Sequence, residues 1–228
     1  QRIVIAGHGT FIALHTLALF PTGRARLVGV EQRGPSVSDF LPLVEPGFPG
    51  DRTVMGIGAG PEHIAAVRPD VVLMKHTADT RASEALAQIG IPVVYLGLEN
   101  PQQFETDITN LGQLLADEAR AAEILTFYGE RQARVKPPAD RAADPADVLV
   151  LQYNTRGGAV TAQVPAEPWM QTTHVRMVGA NPVWLDASER TYGWALVNIE
   201  QIARWDPDVI LLVLWHVDDP AAALAELR

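Results

Sequence analysis

The chain has 228 residues, of which 47% are hydrophobic, so it is long enough to bury one large core or two small ones. Its 27 acidic and 18 basic residues give a formal net charge of −9, and Lys and Arg do not occur in runs. This composition excludes an extended basic surface of the kind that binds the phosphates of DNA or RNA. The absence of cysteine excludes disulfides, thiolate metal sites and cysteine nucleophiles.

Six short runs of β-branched and other apolar residues predict the strands of the fold. In chain order they are RIVIAG (2–7), RLVGV (26–30), DVVLM (70–74), IPVVYL (91–96), DVLVLQY (147–153) and DVILLVLW (208–215). Continuous apolar strands that alternate with helices are typical of parallel sheets covered on both faces. The sequence therefore predicts an α/β fold.

One long helix is predicted between the fourth and fifth strands. After Pro101 the next proline is Pro137, and the apolar residues between them fall mostly three or four positions apart. We expect a bend near Asp117, and the proline-rich segment 136–147 ends the helix. The predicted organisation is an amino-terminal lobe at 1–100, a connecting helix at 101–136 and a carboxyl-terminal lobe at 137–228.

One phrase occurs twice, as EHIAAVRPDVVL at 62–73 and as EQIARWDPDVIL at 200–211, with seven of twelve positions identical. Each copy predicts a helix that starts with a glutamate, stops before a proline and leads into a buried strand. The same helix-to-strand signature also arises in α/β proteins without duplication. We interpret the phrase as a repeated unit, present once in each of two similar lobes.

Ligands of open parallel sheets bind beyond the carboxyl ends of the strands. The polar candidates at these ends are His8 and Thr10 after the first strand, Lys75 and His76 after the third, Glu99 after the fourth, Asn154 and Arg156 after the fifth, and His216 after the sixth. A single histidine at a strand end is more often a surface or capping residue than a ligand. Arg156 is the best candidate for an anion contact, because its guanidinium can hold a carboxylate through two bonds.

All five tryptophans lie in the second half of the chain. Trp169, Trp184 and Trp194 are candidates for the apolar wall of a ligand cleft, whereas Trp205 and Trp215 are assigned to the core. The sequence contains no GxSxG elbow, no HExxH motif, no dinucleotide fingerprint and no P-loop. These patterns favour a binding protein over an enzyme or a nucleotide-binding protein.

Five segments follow one another in a characteristic order. They are the strand RIVIAG, the first E-x-I-A-x-x-x-P-D-V unit, the helical segment LGQLLADEARAAEILTFYGER, the segment GANPVW (179–184) and the second unit NIEQIARWDPDVI. In this order they resemble the periplasmic substrate-binding proteins of ABC importers for iron-siderophores, haem and cobalamin. The resemblance covers almost the whole chain, although no single motif decides it.

The resemblance implies two Rossmann-like lobes with parallel sheets, joined by one long helix, with a ligand held in the cleft between them. It also implies that a glutamate on each lobe docks onto arginines of a homodimeric or pseudo-symmetric permease, which works with an ATPase. The matching positions are Glu62 and Glu200. Members of this family continue for several elements beyond the second P-D-V-I strand, so we expect the second lobe to be incomplete at the carboxyl terminus.

We therefore expect a non-enzymatic solute-binding protein without a cofactor of its own, located in the periplasm or at the outer face of the cytoplasmic membrane. An export signal would have preceded Gln1. The expected ligand is a metal chelate of the ferric siderophore, haem or cobalamin class, and the cationic candidates favour an anionic one. Direct metal ligation by the three histidines is less favoured, because such sites usually include carboxylates. A receptor for an oxyanion such as molybdate, and an α/β enzyme with a metal-bound cofactor between two lobes, remain alternatives.

Overall fold

The computed structural model describes residues 1–32, 41–76, 80–135, 137, 144–156, 159–188, 193–214 and 221, with the backbone alone at 154–156 and 159–160. The chain forms two compact units, Gln1–Gly129 and Glu130–Arg228. Each unit has its own sheet and its own hydrophobic core. In the part of the chain that is described, no helix is long and apolar enough to cross a membrane.

The first unit is built on a five-stranded sheet in which each pair of neighbouring strands is parallel. Its strands are β1 (Ile3–Ala6), β2 (Leu27–Glu31), β3 (Thr53–Met55), β4 (Val71–Lys75) and β5 (Val93–Leu96), in the spatial order β3-β2-β1-β4-β5. The helices of this part of the chain are α1 (Thr10–Ala18), α2 (Pro21–Arg26), α3 (Leu41–Val44), α4 (Pro61–Ala66), α5 (Arg81–Gln88), α6 (Pro101–Leu115) and α7 (Glu118–Gln132). The first four predicted strands are thus confirmed.

Helices cover both faces of this sheet, as its uninterrupted apolar strands predict. Alternate residues of β1 belong to two different cores: Ile3 and Ile5 pack with residues of α1 and α6, whereas Val4 packs with Ile64 of α4 and Leu86 of α5. All of these side chains are at most 1% exposed. The period of two along a strand therefore distributes its side chains between the two faces.

The prediction of one long connecting helix is wrong, since α6 ends at Leu115 and α7 begins at Glu118. Ala116 has a left-handed backbone with φ 52°, and the N–H of Asp117 donates to the carbonyl of Gly112 at 2.8 Å, which ends α6. A side chain at Gly112 would meet the Cβ of Ala121 at 2.7 Å. The glycine thus lets α7 approach α6 closely, and the break lies where a bend was expected.

The second unit carries a sheet of five strands. They are β6 (Asp147–Arg156), β7 (Ala159–Pro165), β8 (Asn181–Pro182), β9 (Trp194–Val197) and β10 (Val209–Val213), and the helices are α8 (Met170–Met177), α9 (Leu185–Ser188) and α10 (Ile199–Trp205). The spatial order is β10-β6-β7-β9, and β8 pairs with the first residues of β6. Both strands that the sequence predicts here, β6 and β10, are confirmed.

The expectation of a parallel sheet is wrong for this unit, whose sheet is mixed. Strand β6 is parallel to β10 and β8, but β7 runs antiparallel to both β6 and β9. Arg156 pairs with Ala159, and only two residues of sequence separate them. A parallel crossover needs a dozen or more residues, so this connection can only join antiparallel strands. The Gly157-Gly158 pair is the hairpin signal in the sequence.

Candidate functional site

A cleft of about 550 Å³ lies in the first unit, at the carboxyl ends of β1, β2, β4 and β5. We call it the first-unit cleft. Its lining residues are Gly7, His8, Glu31, Gly58, Ala59, Gly60, Pro61, Ile64, Met74, Lys75, Arg81, Ala82 and Tyr95. This is the edge of a parallel sheet at which ligands of α/β proteins bind.

Glu31 lines this cleft although it is only 2% exposed. One carboxylate oxygen accepts a hydrogen bond from the N–H of Gly7 and the other accepts one from the N–H of Gly58, each at 2.7 Å. Glu31 was not a candidate from the sequence, because the predicted second strand ended at Val30. The available signal was an acidic residue directly after an apolar strand, at the same sheet edge as His8.

Lys75 also lines the cleft, but its ammonium is paired with the carboxylate of Glu99. The two side chains are 8% and 16% exposed. Lys75 therefore does not present a free positive charge, and a direct contact between its ammonium and an anionic ligand would require breaking this pair. Its role as a ligand contact remains a prediction, and the structure gives Lys75 a partner that the sequence did not reveal.

The loop that carries Glu99 is held in place by a buried carboxylate on α6. Asp107 is 5% exposed, and its Oδ2 accepts hydrogen bonds from the N–H groups of Gly97 at 2.8 Å and Leu98 at 3.0 Å. Burial raises the pKa of the Asp107 carboxyl above its usual value, and the two backbone hydrogen bonds oppose that rise. Asp107 thus fixes the backbone next to the Lys75–Glu99 pair.

The other candidates of the first unit differ in their exposure. His8 is exposed and lines the cleft, whereas His76 is exposed and packs its ring against Tyr95 with the ring centroids 5.8 Å apart. Thr10 is the first residue of α1 and is 1% exposed. The side chain of Thr10 is thus buried, and its role as a ligand contact stays a prediction. Tyr95 and Arg81 also line the cleft, and neither was a candidate from the sequence.

In the second unit the candidate tryptophans have different surroundings. Trp169 precedes α8 and packs edge to face against Trp194, with the ring centroids 5.7 Å apart. Trp184 is 0% exposed, and its indole N–H donates to the carbonyl of Pro165 at 2.9 Å. Through this hydrogen bond, Trp184 holds the start of the Pro165–Trp169 segment against the core. Trp184 belongs to the core of the second unit, and its role in a cleft wall stays a prediction.

The remaining ligand candidates fall in parts of the chain where their side chains are not described. The backbone of Asn154 and Arg156 lies in β6, at the carboxyl end of that strand, but their side chains are outside the described residues. His216 lies outside them altogether. Among the residues that are described, no group of three or more His, Asp or Glu could hold a metal ion.

Glu62 and Glu200 occupy equivalent places in the two units. Glu62 is exposed in the first turn of α4, and Glu200 is exposed in the first turn of α10. Pro61 is the first residue of α4, directly beside the first-unit cleft. The prediction that the repeated phrase forms a helix with a glutamate at its start is thus confirmed in both copies.

Comparison with known proteins places the chain in a family. The model of the periplasmic binding protein family matches residues 36–224, which is most of the chain. No curated protein matches it.

Solved structures share the fold at low sequence identity. They include a periplasmic heme-binding protein from Pseudomonas aeruginosa (22% identity, TM-score 0.70, covering 100% of this chain and 76% of that one). Another is the triscatecholate siderophore-binding protein from Bacillus subtilis, complexed with ferri-bacillibactin (17%, 0.71, 99% and 75%). A third is the periplasmic vitamin B12-binding protein of Vibrio cholerae (14%, 0.65, 99% and 78%). The family match confirms the prediction from the sequence: the chain belongs to the periplasmic binding protein family.

Proposed function

We propose that this protein is the extracytoplasmic solute-binding component of an ABC importer. It captures a metal chelate of the haem, ferric siderophore or cobalamin class and delivers it to a membrane permease. The observation that carries this proposal is the family match over residues 36–224. It is supported by structural neighbours that are named for binding heme, a triscatecholate siderophore and vitamin B12.

The first-unit cleft supports the binding of an organic chelate rather than a bare ion. Its walls combine apolar groups of Ile64, Met74 and Tyr95 with the polar side chains of His8 and Arg81. A mostly apolar pocket with a few polar groups that fix orientation is typical of small-molecule sites. Its volume of about 550 Å³ falls in the range of about 300–1,000 Å³ that such sites usually have.

The charges around the first-unit cleft refine the expectation of an anionic ligand. Glu31 is a buried negative charge in the lining, and Glu99 neutralises Lys75. The other basic side chains in the lining are those of His8 and Arg81. Arg156 in the second unit remains the proposed main contact for an anionic group, and Trp169 the proposed aromatic contact.

Native mass spectrometry with elemental analysis tests the proposed ligand class. The protein is mixed in turn with haemin, a ferric triscatecholate, cyanocobalamin and molybdate, and the bound mass and metal are recorded. We expect one of the three chelates to bind in a one-to-one complex. Saturation by molybdate alone would support an oxyanion receptor instead. Binding of every probe weaker than about 1 mM, or about −4 kcal/mol, would contradict the proposal.

We propose that Glu62 and Glu200 dock onto cations of the permease. Their exposure and their equivalent positions at two helix starts support this role. The double variant Glu62→Arg, Glu200→Arg should abolish uptake by cells while leaving chelate affinity unchanged, because the charge reversal would repel a basic partner surface. Uptake assays and titration of the purified variant measure the two effects separately.

A matched control reverses two other exposed glutamates, Glu105→Arg on α6 and Glu130→Arg on α7. This control changes the net charge equally but leaves the helix starts intact, so we expect normal uptake. If the control also abolishes uptake, the effect comes from net charge rather than docking. If the first double variant transports normally, the docking role of both glutamates is wrong.

A further inference from the structure

One buried side chain in the first sheet links its own strand to the segments that follow the two neighbouring strands. Strand β2 lies between β1 and β3, and Glu31 is its last residue. Gly7 follows β1, and Gly58 lies in the segment that follows β3. The carboxylate of Glu31 accepts a hydrogen bond from each of these glycines at 2.7 Å. We call this arrangement of Glu31 with the N–H groups of Gly7 and Gly58 the carboxylate bridge.

We propose that Glu31 is a positioning residue that couples the first-unit cleft to the helix carrying Glu62. The inference rests on the proposed function, because it assigns the first-unit cleft to the ligand and α4 to the permease. The segment on one side of the bridge continues into His8, which is exposed in the cleft. The segment on the other side continues through Gly60 into Pro61 and Glu62 of α4.

The chemistry of the bridge requires a carboxylate. Burying a charge is costly unless it is hydrogen-bonded, and two backbone N–H donors on separate oxygens are a strong way to stabilise it. Gly7 and Gly58 have φ values of 88° and 80°, in the left-handed region that side chains disfavour. The N–H groups of these same two glycines donate to Glu31, so the left-handed conformations occur where the bridge forms. Both glycines and Glu31 also line the cleft, so the bridge forms part of its floor.

Replacing Glu31 by glutamine keeps the size of the side chain but leaves a single acceptor oxygen. The NH₂ group would face one of the two N–H donors, and two donors cannot bond. We therefore expect at least one segment to be released in Glu31→Gln. Hydrogen exchange measured by NMR should become about 10- to 100-fold faster at Gly7 or Gly58. Exchange at the β1 amides of Val4 and Ile5 should stay unchanged.

Released segments should also weaken ligand binding without unfolding the unit. For the chelate that the wild-type protein binds among haemin, ferric triscatecholate and cyanocobalamin, we expect about tenfold weaker affinity, since ordering the segment again costs free energy. The control is Glu45→Gln. It removes an ion pair with Arg52 at 2.7 Å, and Glu45 does not line the first-unit cleft. In this control the glycine amides and the affinity should be unchanged.

A second variant keeps the charge and shortens the reach. Glu31→Asp is one methylene shorter and should not span both segments, so it too should release one amide. If both variants fail to fold, the wild-type protein still tests the bridge itself. Its Gly7 and Gly58 amides must exchange more slowly than the amide of Gly47, which donates to no carboxylate among the described residues.

The proposal is overturned if the wild-type glycine amides exchange as fast as Gly47, if Glu31→Gln leaves both protected, or if its affinity for the bound chelate is unchanged. A failure of the proposed function looks different. In that case the wild-type protein binds none of the three chelates, while the exchange rates still report whether the carboxylate bridge exists.

Discussion

The two copies of the repeated phrase form the same local structure in very different surroundings. In the first copy, Ile64 is 1% exposed, and the strand that follows, β4, is buried along its whole length between β1 and β5. In the second copy, the strand that follows is β10, the outermost strand of its sheet among the residues described, where Val209, Ile210 and Leu211 are 43%, 46% and 50% exposed. Local sequence therefore sets the helix and the strand, but the place in the sheet sets the burial.

The two units also differ in how they bury polar groups. Among its described residues, the first unit buries three charged side chains, those of Glu31, Lys75 and Asp107. In the described part of the second unit the buried polar side chains are the hydroxyls of Thr172 and Ser188. The buried charges of the first unit cluster around the loops that follow its strands, which is where a ligand site needs fixed geometry. Burial raises the pKa of one of them, Asp107, so we expect the stability of the first unit to depend on pH.

The largest effect should come from truncating equivalent leucines in the two copies. Leu73 and Leu211 end the two phrases, but Leu73 is 0% exposed and Leu211 is 50% exposed. Leu73→Ala should lower the free energy of unfolding by about 2–5 kcal/mol because it leaves a cavity. Leu211→Ala should cost less than about 1 kcal/mol, since little area is lost.

Urea unfolding can follow the two units separately. All five tryptophans belong to the second unit, so their fluorescence reports on it, whereas far-UV circular dichroism reports on both. Equal destabilisation by the two leucine substitutions would contradict the difference in burial between the copies.

Asp107 provides a smaller effect with a defined dependence on pH. Asp107→Ala should cost about 1–3 kcal/mol, because the N–H groups of Gly97 and Leu98 lose their acceptor. Asp107→Asn keeps an acceptor oxygen and removes the buried charge. Because the folded protein holds the Asp107 proton more tightly than the unfolded chain does, the wild-type protein loses stability as pH rises through the raised pKa.

The stability of Asp107→Asn relative to wild type should therefore be greater at pH 7 than at pH 4. Urea titrations of both proteins at the two pH values measure this difference. A difference that is the same at both values, or that is greater at pH 4, would show that burial does not control this carboxyl.

The smallest effect concerns the starts of the two helices. Asn198 forms a capping box with Gln201 at the start of α10, whereas Gly60 at the start of α4 offers no side-chain cap. Asn198→Ala should cost about 1 kcal/mol. Gly60→Ala should change stability by less than about 0.5 kcal/mol, because Gly60 has φ −71°, which alanine adopts without strain. A larger loss in Gly60→Ala than in Asn198→Ala would contradict this difference between the copies.

Much of the fold could be predicted because local patterns determine it. Apolar runs predicted six strands. Proline and glutamate predicted the helices of the two repeated phrases, because these signals lie within a few residues of each helix. The sequence predicted only a bend between α6 and α7. Ala116 has a left-handed backbone, but an alanine does not indicate this conformation in a sequence, so the break had no signal. Strands β7 and β9 were missed, although Gly157-Gly158 was a signal for the hairpin that makes the second sheet mixed.

The candidate site was less predictable, because it depends on contacts between distant residues. The sequence predicts a site beyond the carboxyl ends of the strands, and the first-unit cleft lies at those ends. The Lys75–Glu99 pair joins residues 24 positions apart, and the bonds of Glu31 reach 24 and 27 positions. The burial of Thr10 and Trp184 likewise depends on packing rather than on their own segments. Sequence patterns gave the edge of the sheet, and tertiary contacts decided which side chains are available there.

The most direct test of the proposed function is an equilibrium titration of the purified protein followed by tryptophan fluorescence. Trp169 and Trp194 lie in contact, so a chelate bound beside them should quench their emission. We expect saturable one-to-one quenching by one of haemin, ferric triscatecholate and cyanocobalamin, with a dissociation constant of about 1 µM or tighter, which corresponds to about −8 kcal/mol. Quenching that does not saturate below about 1 mM with any of the three would contradict the proposal that this protein binds a metal chelate.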